Sequence, residues 1–252
     1  MNLQTAAVLA LALVSTWGAR RLGLEADMPT GLIGIAIIFP IVFSINSAYK
    51  RREEALKYLA SFKAHAVAVF YAHRDWAPEN SGACPEEINR VFHGLFAAVK
   101  AHFHQDGEDR GDSPAPVYEH FSRLSRANEN LRKRGVTSGE ICRINQYSRA
   151  MILEFERMRN ILRYRTPKPL RAYSRVFLNT FPVLYGPYFA LLAAEAYPFL
   201  GYLVAALYSV VLVSLDNIQD DLENPFDNQG EDDVDFSDVE ATLACIGGGE
   251  AV

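Results

Sequence analysis

Four stretches of the sequence are apolar and contain no charged side chain. They are residues 1–19, 28–49, 176–194 and 196–215. Each is close to the ~20 residues that a helix needs to cross a hydrocarbon layer about 30 Å thick. None of them alternates regularly between apolar and polar positions, as a half-buried strand does. The pattern therefore predicts four transmembrane helices at about 3–19, 30–49, 174–195 and 197–218.

The segment between the second and third apolar stretches, residues 50–165, is rich in charge. Its apolar residues recur every three or four positions, beginning with Ala55, Leu59, Phe62 and Ala66. This spacing is typical of helices that bury one face and expose the other to water. No strand pattern of useful length occurs, so we predict an all-α membrane protein with a water-facing helical region.

Lysines and arginines near the ends of the second and third stretches predict the side on which this region lies. Positive residues concentrate on the cytosolic side of membrane proteins, which places residues 50–165 in the cytosol. An even number of crossings then places both termini there as well. Arg20 and Arg21 lie on the opposite side and do not follow the rule.

The first 19 residues resemble a signal peptide only in part. They have an apolar centre, but no Lys or Arg precedes it, and Arg20 and Arg21 follow instead. We therefore predict a retained helix. Residues 1–236 are predicted to form a single domain, and residues 237–252, which end in "IGGGEAV", a disordered tail.

Composition excludes several classes of protein. The net charge of −5, with acidic residues concentrated between 216 and 240, argues against a nucleic-acid partner, because phosphate contacts require a basic surface. The three cysteines show no disulfide or metal-ligand spacing. The sequence contains no phosphate-binding glycine loop, nucleophile elbow or zinc-protease motif, so no enzymatic activity is predicted.

One line of residues on the second helix is a candidate functional surface. Ile35, Phe39 and Phe43 are four residues apart and therefore lie nearly above one another. Such a line usually faces lipid or a neighbouring helix. Asn46 and Ser47, at its end, are polar and favour a water-filled space over lipid.

Three motifs resemble the bestrophin family. Residues 34–55, "GIAIIFPIVFSINSAYKRREEA", are similar to the second-helix signature of its bacterial members. "TPKP" and "YS" within 166–174 resemble the segment before the family's third membrane helix, and "IQDDLENPFDNQGEDDVDF" at 218–236 resembles its "NPF" and acidic cluster. The sequence departs from the pattern at Pro40, and at Arg52 and Glu53, which stand where the family has two tryptophans.

The resemblance implies a homopentameric ion channel in the inner, or cell, membrane. The family's narrow neck corresponds here to Ile35, Phe39 and Phe43, and five copies of each residue would form apolar rings that gate conduction by emptying of water. The positive edges of phenylalanine rings suit weakly hydrated anions such as chloride. The partners implied are other copies of the chain, small monovalent ions and the lipid bilayer.

The resemblance also implies two further sites. One is a cytosolic aperture formed by one apolar residue per subunit, which a loose alignment places at Ile141, with Ile144 nearby; otherwise both are core residues. The other is calcium bound by oxygen ligands at Asn224, Glu231, Asp232, Asp233 and Asp235. Three extra residues separate "NPF" from the acidic cluster, and the N-terminal segment that completes this calcium site in animal members has no counterpart here. These two differences favour an acidic, solvated segment without calcium. The resemblance implies no other cofactor.

Two alternatives stay open at this point. One is a cation-selective homologue, because some bacterial members favour cations and the neck has no basic ring. The other is a non-conducting membrane scaffold whose helical region binds a partner. Pro40 and the replaced tryptophans support this second alternative.

Overall fold

A computed structural model of the chain describes residues 3–76, 85–104, 113–164, 176–177, 179–195, 197–226, 233–239 and 241–242. Within these residues the chain is helical and contains no strand, which confirms the all-α prediction. The helices are α1 (Leu3–Leu22), α2 (Thr30–Asp75), α3 (Pro85–Phe103), α4 (Ala115–Lys133), α5 (Ser138–Arg163), α6 (179–184), α7 (Gly186–Glu195) and α8 (Pro198–Glu223).

The helix α2 is continuous over 46 residues, from an uncharged apolar half into a charged half. Pro40 lies inside it, and the helix continues on both sides. At a rise of 1.5 Å per residue, a helix of this length extends about 69 Å, more than twice the thickness of a hydrocarbon layer. The prediction that one helix carries both halves is confirmed.

The single domain predicted from the sequence divides into two compact units. The first unit comprises residues 1–50 and 166–223, and the second comprises residues 51–165 and 224–252. The boundary at residues 50 and 51 falls inside α2, where the apolar half gives way to the charged half. Each unit has its own hydrophobic core.

The first unit brings α1 and α2 together with α6, α7 and α8. Its core consists of apolar residues from these helices: Ala12, Ile41, Phe181, Tyr185, Phe189, Ala205 and Leu212. The helices approach closely at two glycines. A Cβ on Gly186 would lie 2.2 Å from Ser15 Oγ, and one on Gly201 would lie 2.1 Å from the carbonyl oxygen of Phe189. Small residues at helix contacts of this kind are typical of membrane bundles.

The third predicted helix, 174–195, is interrupted in the structure. Residues 179–184 and Gly186–Glu195 are helical, with a turn at Tyr185 between them. Pro187 has no N–H to donate to the carbonyl oxygen of Val183, four residues earlier. That oxygen instead accepts a hydrogen bond from Ser15 Oγ of α1, at 3.0 Å. The fourth helix is longer than predicted and extends to Glu223.

The second unit is a bundle of the charged half of α2 with α3, α4 and α5. Its aromatic core includes Phe62. The centroid of the Phe62 ring lies 5.3 Å from that of Phe96 and 6.5 Å from that of Phe121. Residues at three- and four-residue spacing on each helix are buried here, as the sequence pattern predicts.

The first residues of the predicted disordered tail pack against the second unit. Val239 is buried in the core of the second unit, and Asp238 forms an ion pair with Lys63 of α2. Residues 237–239 and 241–242 are helical. The part of the predicted tail from 243 to 252 lies outside the described residues.

Among the described residues, one helix, Phe199–Glu223, is long and apolar enough to cross a membrane by length and composition.

Candidate pore-lining face of the second helix

The apolar half of α2 has a buried side that faces the core of the first unit. This side consists of three buried residues, Ile41, Ser44 and Ala48. Ile41 is only 1% exposed and contacts core residues of the neighbouring helices. Positions 41, 44 and 48 recur at three- and four-residue spacing and therefore share one side of the helix.

The three predicted neck residues lie on the opposite side. Ile35, Phe39 and Phe43 are 63%, 60% and 54% exposed. Nine residues, or about two and a half turns at 3.6 residues per turn, separate Phe39 from Ala48, so the two point in opposite directions. The rings of Phe39 and Phe43 meet edge to face, with centroids 4.6 Å apart. This arrangement is a favoured one for aromatic pairs. The structure therefore brings the three side chains into one exposed line.

The same line continues into polar residues at the end of the apolar half. Asn46 and Lys50 are exposed and follow Phe43 by three and seven residues, which places them on its face of the helix. The face thus changes from large apolar side chains to an amide and then to a positive charge. The sequence pattern drew attention to Asn46, whereas the position of Lys50 on the neck face was missed.

The two isoleucines predicted for an aperture are buried in the second unit. Ile141 and Ile144 belong to the core on α5. Their placement is that of core residues, the alternative given to them above. Leu153 is the large apolar residue of α5 that is exposed in the described part of the chain. The sequence could have indicated this exposure. Met151 and Phe155 are four residues apart and share the buried face of α5, whereas Leu153 is two residues from each and lies on a different face.

The acidic segment after α8 returns to the core of the second unit. Val234 N–H donates a hydrogen bond of 2.8 Å to the carbonyl oxygen of Pro225, which holds the two residues together. On either side of this bond, the rings of Phe226 and Phe236 lie 4.6 and 5.7 Å from the ring of Phe103, centroid to centroid. Phe226 of the "NPF" motif therefore packs against α3 in the core of the second unit.

The described members of the predicted calcium site do not assemble into one. Asp235 accepts hydrogen bonds through both carboxylate oxygens, from the N–H of Ser237 at 2.7 Å and from its hydroxyl. These bonds, together with the positive charges of Lys100 and His104, hold the pKa of Asp235 below its ordinary value. Asn224 is buried, and Asp233 is half-buried. Within the described ranges no group of three or more His, Cys, Asp and Glu side chains is arranged for a metal ion. Glu231 and Asp232 lie outside the described residues.

The segment "TPKP", at 166–169, also lies outside the described residues, as does "YS" at 173–174. The second-helix motif forms part of α2. Phe226 of the "NPF" motif packs against Phe103.

Comparison with family models found no match, and neither did comparison with curated proteins. Solved structures match over nearly the whole chain. A bacterial bestrophin homologue from Klebsiella pneumoniae is 14% identical, with a TM-score of 0.81 and 98% of each chain covered. A single-residue variant of that homologue is 17% identical, with a TM-score of 0.75 over 98% of this chain and 97% of the other. A single-residue variant described as a membrane protein is 16% identical, with a TM-score of 0.80 and 98% of each chain covered. The chain therefore has the fold of the bacterial bestrophin homologues.

Proposed function

We propose that the chain is one subunit of an oligomeric membrane channel for small monovalent anions, with a neck formed by Ile35, Phe39 and Phe43. The observation that carries the proposal is the exposure of these three large apolar side chains in one line, opposite the buried side of α2. The bestrophin fold supports it, because the motif resemblance places the neck of that family at the same three residues.

Large apolar side chains that are exposed on a membrane helix contact either lipid or the surface of a neighbouring subunit. In a ring of subunits around one axis, each position on the line becomes a ring of identical side chains. Four-residue spacing stacks the rings of Ile35, Phe39 and Phe43 about 6 Å apart, at a rise of 1.5 Å per residue. Three apolar rings in succession form a constriction that empties of water readily. A homopentamer is the assembly that the family resemblance favours.

The charge at the end of the line favours anions. Lys50 is exposed on the same face as Phe43, so a symmetric assembly places a ring of positive charges where the apolar neck ends. A ring of one sign raises the local concentration of the opposite ion. The positive edges of the phenylalanine rings act in the same direction inside the neck. Both features support chloride-like ions over potassium.

The assembly can contain a second constriction, formed by one apolar residue from each subunit. Leu153 is a better candidate for this residue than Ile141 or Ile144. An aperture residue must be exposed in the single chain, because the space it faces forms only between subunits. Leu153 meets this requirement, and the two isoleucines are buried.

The membrane placement follows the sequence prediction. Four segments, at about 3–19, 30–49, 174–195 and 197–218, cross the bilayer of the cell membrane, with residues 50–165 and both termini in the cytosol. The break at Tyr185 is compatible with a crossing, because Ser15 satisfies the carbonyl group that Pro187 leaves without a donor. No cofactor enters the proposal.

Ion flux from liposomes tests the proposal. The full-length protein is reconstituted, and chloride efflux is compared between the wild type and the triple variant Ile35→Ala, Phe39→Ala, Phe43→Ala. Removing the apolar rings widens the neck and keeps it wet, so the variant should release chloride faster and without gating. The mass of the purified protein in mild detergent, measured alongside, should be that of an oligomer.

A matched control is available on α8, where Leu203, Leu207 and Val211 are also exposed at four-residue spacing. The triple alanine variant of these residues should conduct as the wild type does. Wild-type liposomes without flux, or a monomer in detergent, would instead support the non-conducting scaffold. Equal effects of the two triple variants would show that apolar exposure in general, and not the α2 line, affects conduction.

A further inference from the structure

The end of α1 carries an open cavity that the channel proposal leaves unused. Four side chains line it: Trp17, Arg20 and Arg21 of α1, and Tyr202 of α8. Its volume is about 370 Å³. The guanidinium carbon of Arg21 lies 5.4 Å from the centroid of the Trp17 ring, within the range of a cation–π contact. The cavity thus combines two positive charges with two amphipathic aromatic rings.

The two arginines retain most of their capacity to donate hydrogen bonds. Both are exposed, and in the described part of the chain neither forms a salt bridge. Each guanidinium carries five N–H donors in a planar fork that matches the oxygens of a phosphate. A phosphate group is therefore the ligand that the charge of this cavity fits best.

Apolar side chains continue from the cavity along both helices. Val14 lies one turn before Trp17 and is exposed, and on α8 Leu203 and Leu207 are exposed beyond Tyr202. Trp and Tyr are enriched at the depth where lipid headgroups meet the hydrocarbon layer. A free phosphate ion would use only the two arginines, whereas a phospholipid uses the arginines, the aromatic rings and the apolar side chains together.

We propose that Arg20, Arg21, Trp17 and Tyr202 bind the phosphate headgroup of an anionic phospholipid, whose acyl chains lie on the exposed apolar side chains of α1 and α8. The inference rests on the proposed function only in that it takes the first unit to lie in a bilayer. It also gives a reason for two arginines on the side of the membrane where positive residues are usually few.

Native mass spectrometry of the full-length protein in mild detergent tests the site. Phosphatidylglycerol and phosphatidylcholine with the same acyl chains are added in turn to the wild type and to the double variant Arg20→Gln, Arg21→Gln. The wild type should bind phosphatidylglycerol more tightly than phosphatidylcholine. The variant should bind phosphatidylglycerol about 30-fold more weakly than the wild type does.

Three controls make the result specific. The variant Arg123→Gln, Arg126→Gln removes the same charge from the exposed face of α4 and should bind as the wild type does. Arg20→Lys, Arg21→Lys keeps the charge, so it should retain preference for the anionic lipid and shows whether the site tolerates substitution. Trp17→Leu removes the cation–π partner and should weaken binding less than the loss of both arginines.

Equal binding of the two lipids by the wild type would overturn the inference, as would unchanged binding by the glutamine variant. Inorganic phosphate is the third probe. If it displaces phosphatidylglycerol from the wild type completely and binds as tightly, the cavity is a site for free anions and the lipid assignment is wrong. Because the assay measures binding in detergent, lipid binding without ion flux would contradict the channel proposal alone.

Discussion

The ring nitrogen Nε2 of His73 donates a hydrogen bond to the side-chain oxygen of Asn128, 2.9 Å away in the core of the second unit. Asn128 in turn donates through its amide nitrogen to Asn145 at 2.9 Å and to the hydroxyl of Ser148 at 3.0 Å. The network joins α2, α4 and α5. Buried polar groups are costly unless they are paired, so these bonds fix how the three helices pack.

The network predicts that the second unit loses stability in acid. Burial lowers the pKa of His73 from its ordinary 6.5, and the nearby charge of Arg134 lowers it further, against the effect of the bond to Asn128. Between the lowered pKa and 6.5 the unfolded chain binds a proton that the folded chain does not. The free energy of unfolding should therefore fall with decreasing pH in this window, by at most about 1.4 kcal/mol per pH unit.

The melting temperature between pH 7 and pH 5 measures this effect. The variant His73→Gln lacks the titrating group and should show a smaller change across that range. His93→Gln replaces an exposed histidine of α3 and should behave as the wild type does. An unchanged pH dependence in His73→Gln would show that other groups cause the acid sensitivity.

The contact between α7 and α8 at Gly201 predicts intolerance of even one methyl group. In Gly201→Ala the new Cβ would lie 2.1 Å from the carbonyl oxygen of Phe189 and 2.7 Å from the Cβ of Ala193. The helices must separate, which costs about 1–3 kcal/mol when a tight core is overpacked. Gly18→Ala in α1 has no atom within 4 Å of its new Cβ. The melting temperature in detergent should therefore fall in the first variant and stay level or rise in the second.

The aromatic anchor predicts that the segment after α8 depends on Phe236. Its ring is buried against Phe103, and Phe236→Ala should cost about 3–5 kcal/mol. Limited proteolysis should then cleave between Pro225 and Asp238 at protease concentrations that leave the wild type intact. Tyr164→Ala, which removes an exposed ring, serves as the control. Equal resistance of Phe236→Ala and the wild type would show that the anchor does not hold the segment.

The acidic segment is expected to function without calcium. Both oxygens of Asp235 already accept hydrogen bonds from Ser237, and calcium needs six to eight oxygen ligands. Neither added calcium nor a chelator should change the melting temperature or the ion flux. Saturable calcium binding by the wild type that disappears in Asp233→Asn would contradict this expectation.

The apolar and amphipathic runs sufficed to predict most helices, because their burial is decided by residues close in sequence. The continuity of α2 and the spacing of Ile35, Phe39 and Phe43 belong to this class. The break at Tyr185 could not be predicted locally, because the hydrogen bond from Ser15 comes from a helix 168 residues away in sequence.

The remaining differences have the same origin. The position of Val239 depends on packing in the second unit, which composition does not reveal. Ile141 and Leu153 are both apolar residues of α5, and only their contacts distinguish the buried residue from the exposed one. The alignment that suggested Ile141, with Ile144 nearby, used the sequence alone and therefore could not include those contacts.

The reversal potential in planar bilayers under a KCl gradient tests the proposed neck most directly. The wild type should reverse close to the chloride equilibrium potential, and the variant Ile35→Ala, Phe39→Ala, Phe43→Ala should carry a larger, less gated current with weaker selectivity. Lys50→Glu should move the reversal potential toward that of potassium. Absence of current in the wild type, or a triple variant that conducts and gates as the wild type does, would contradict a neck at these three residues.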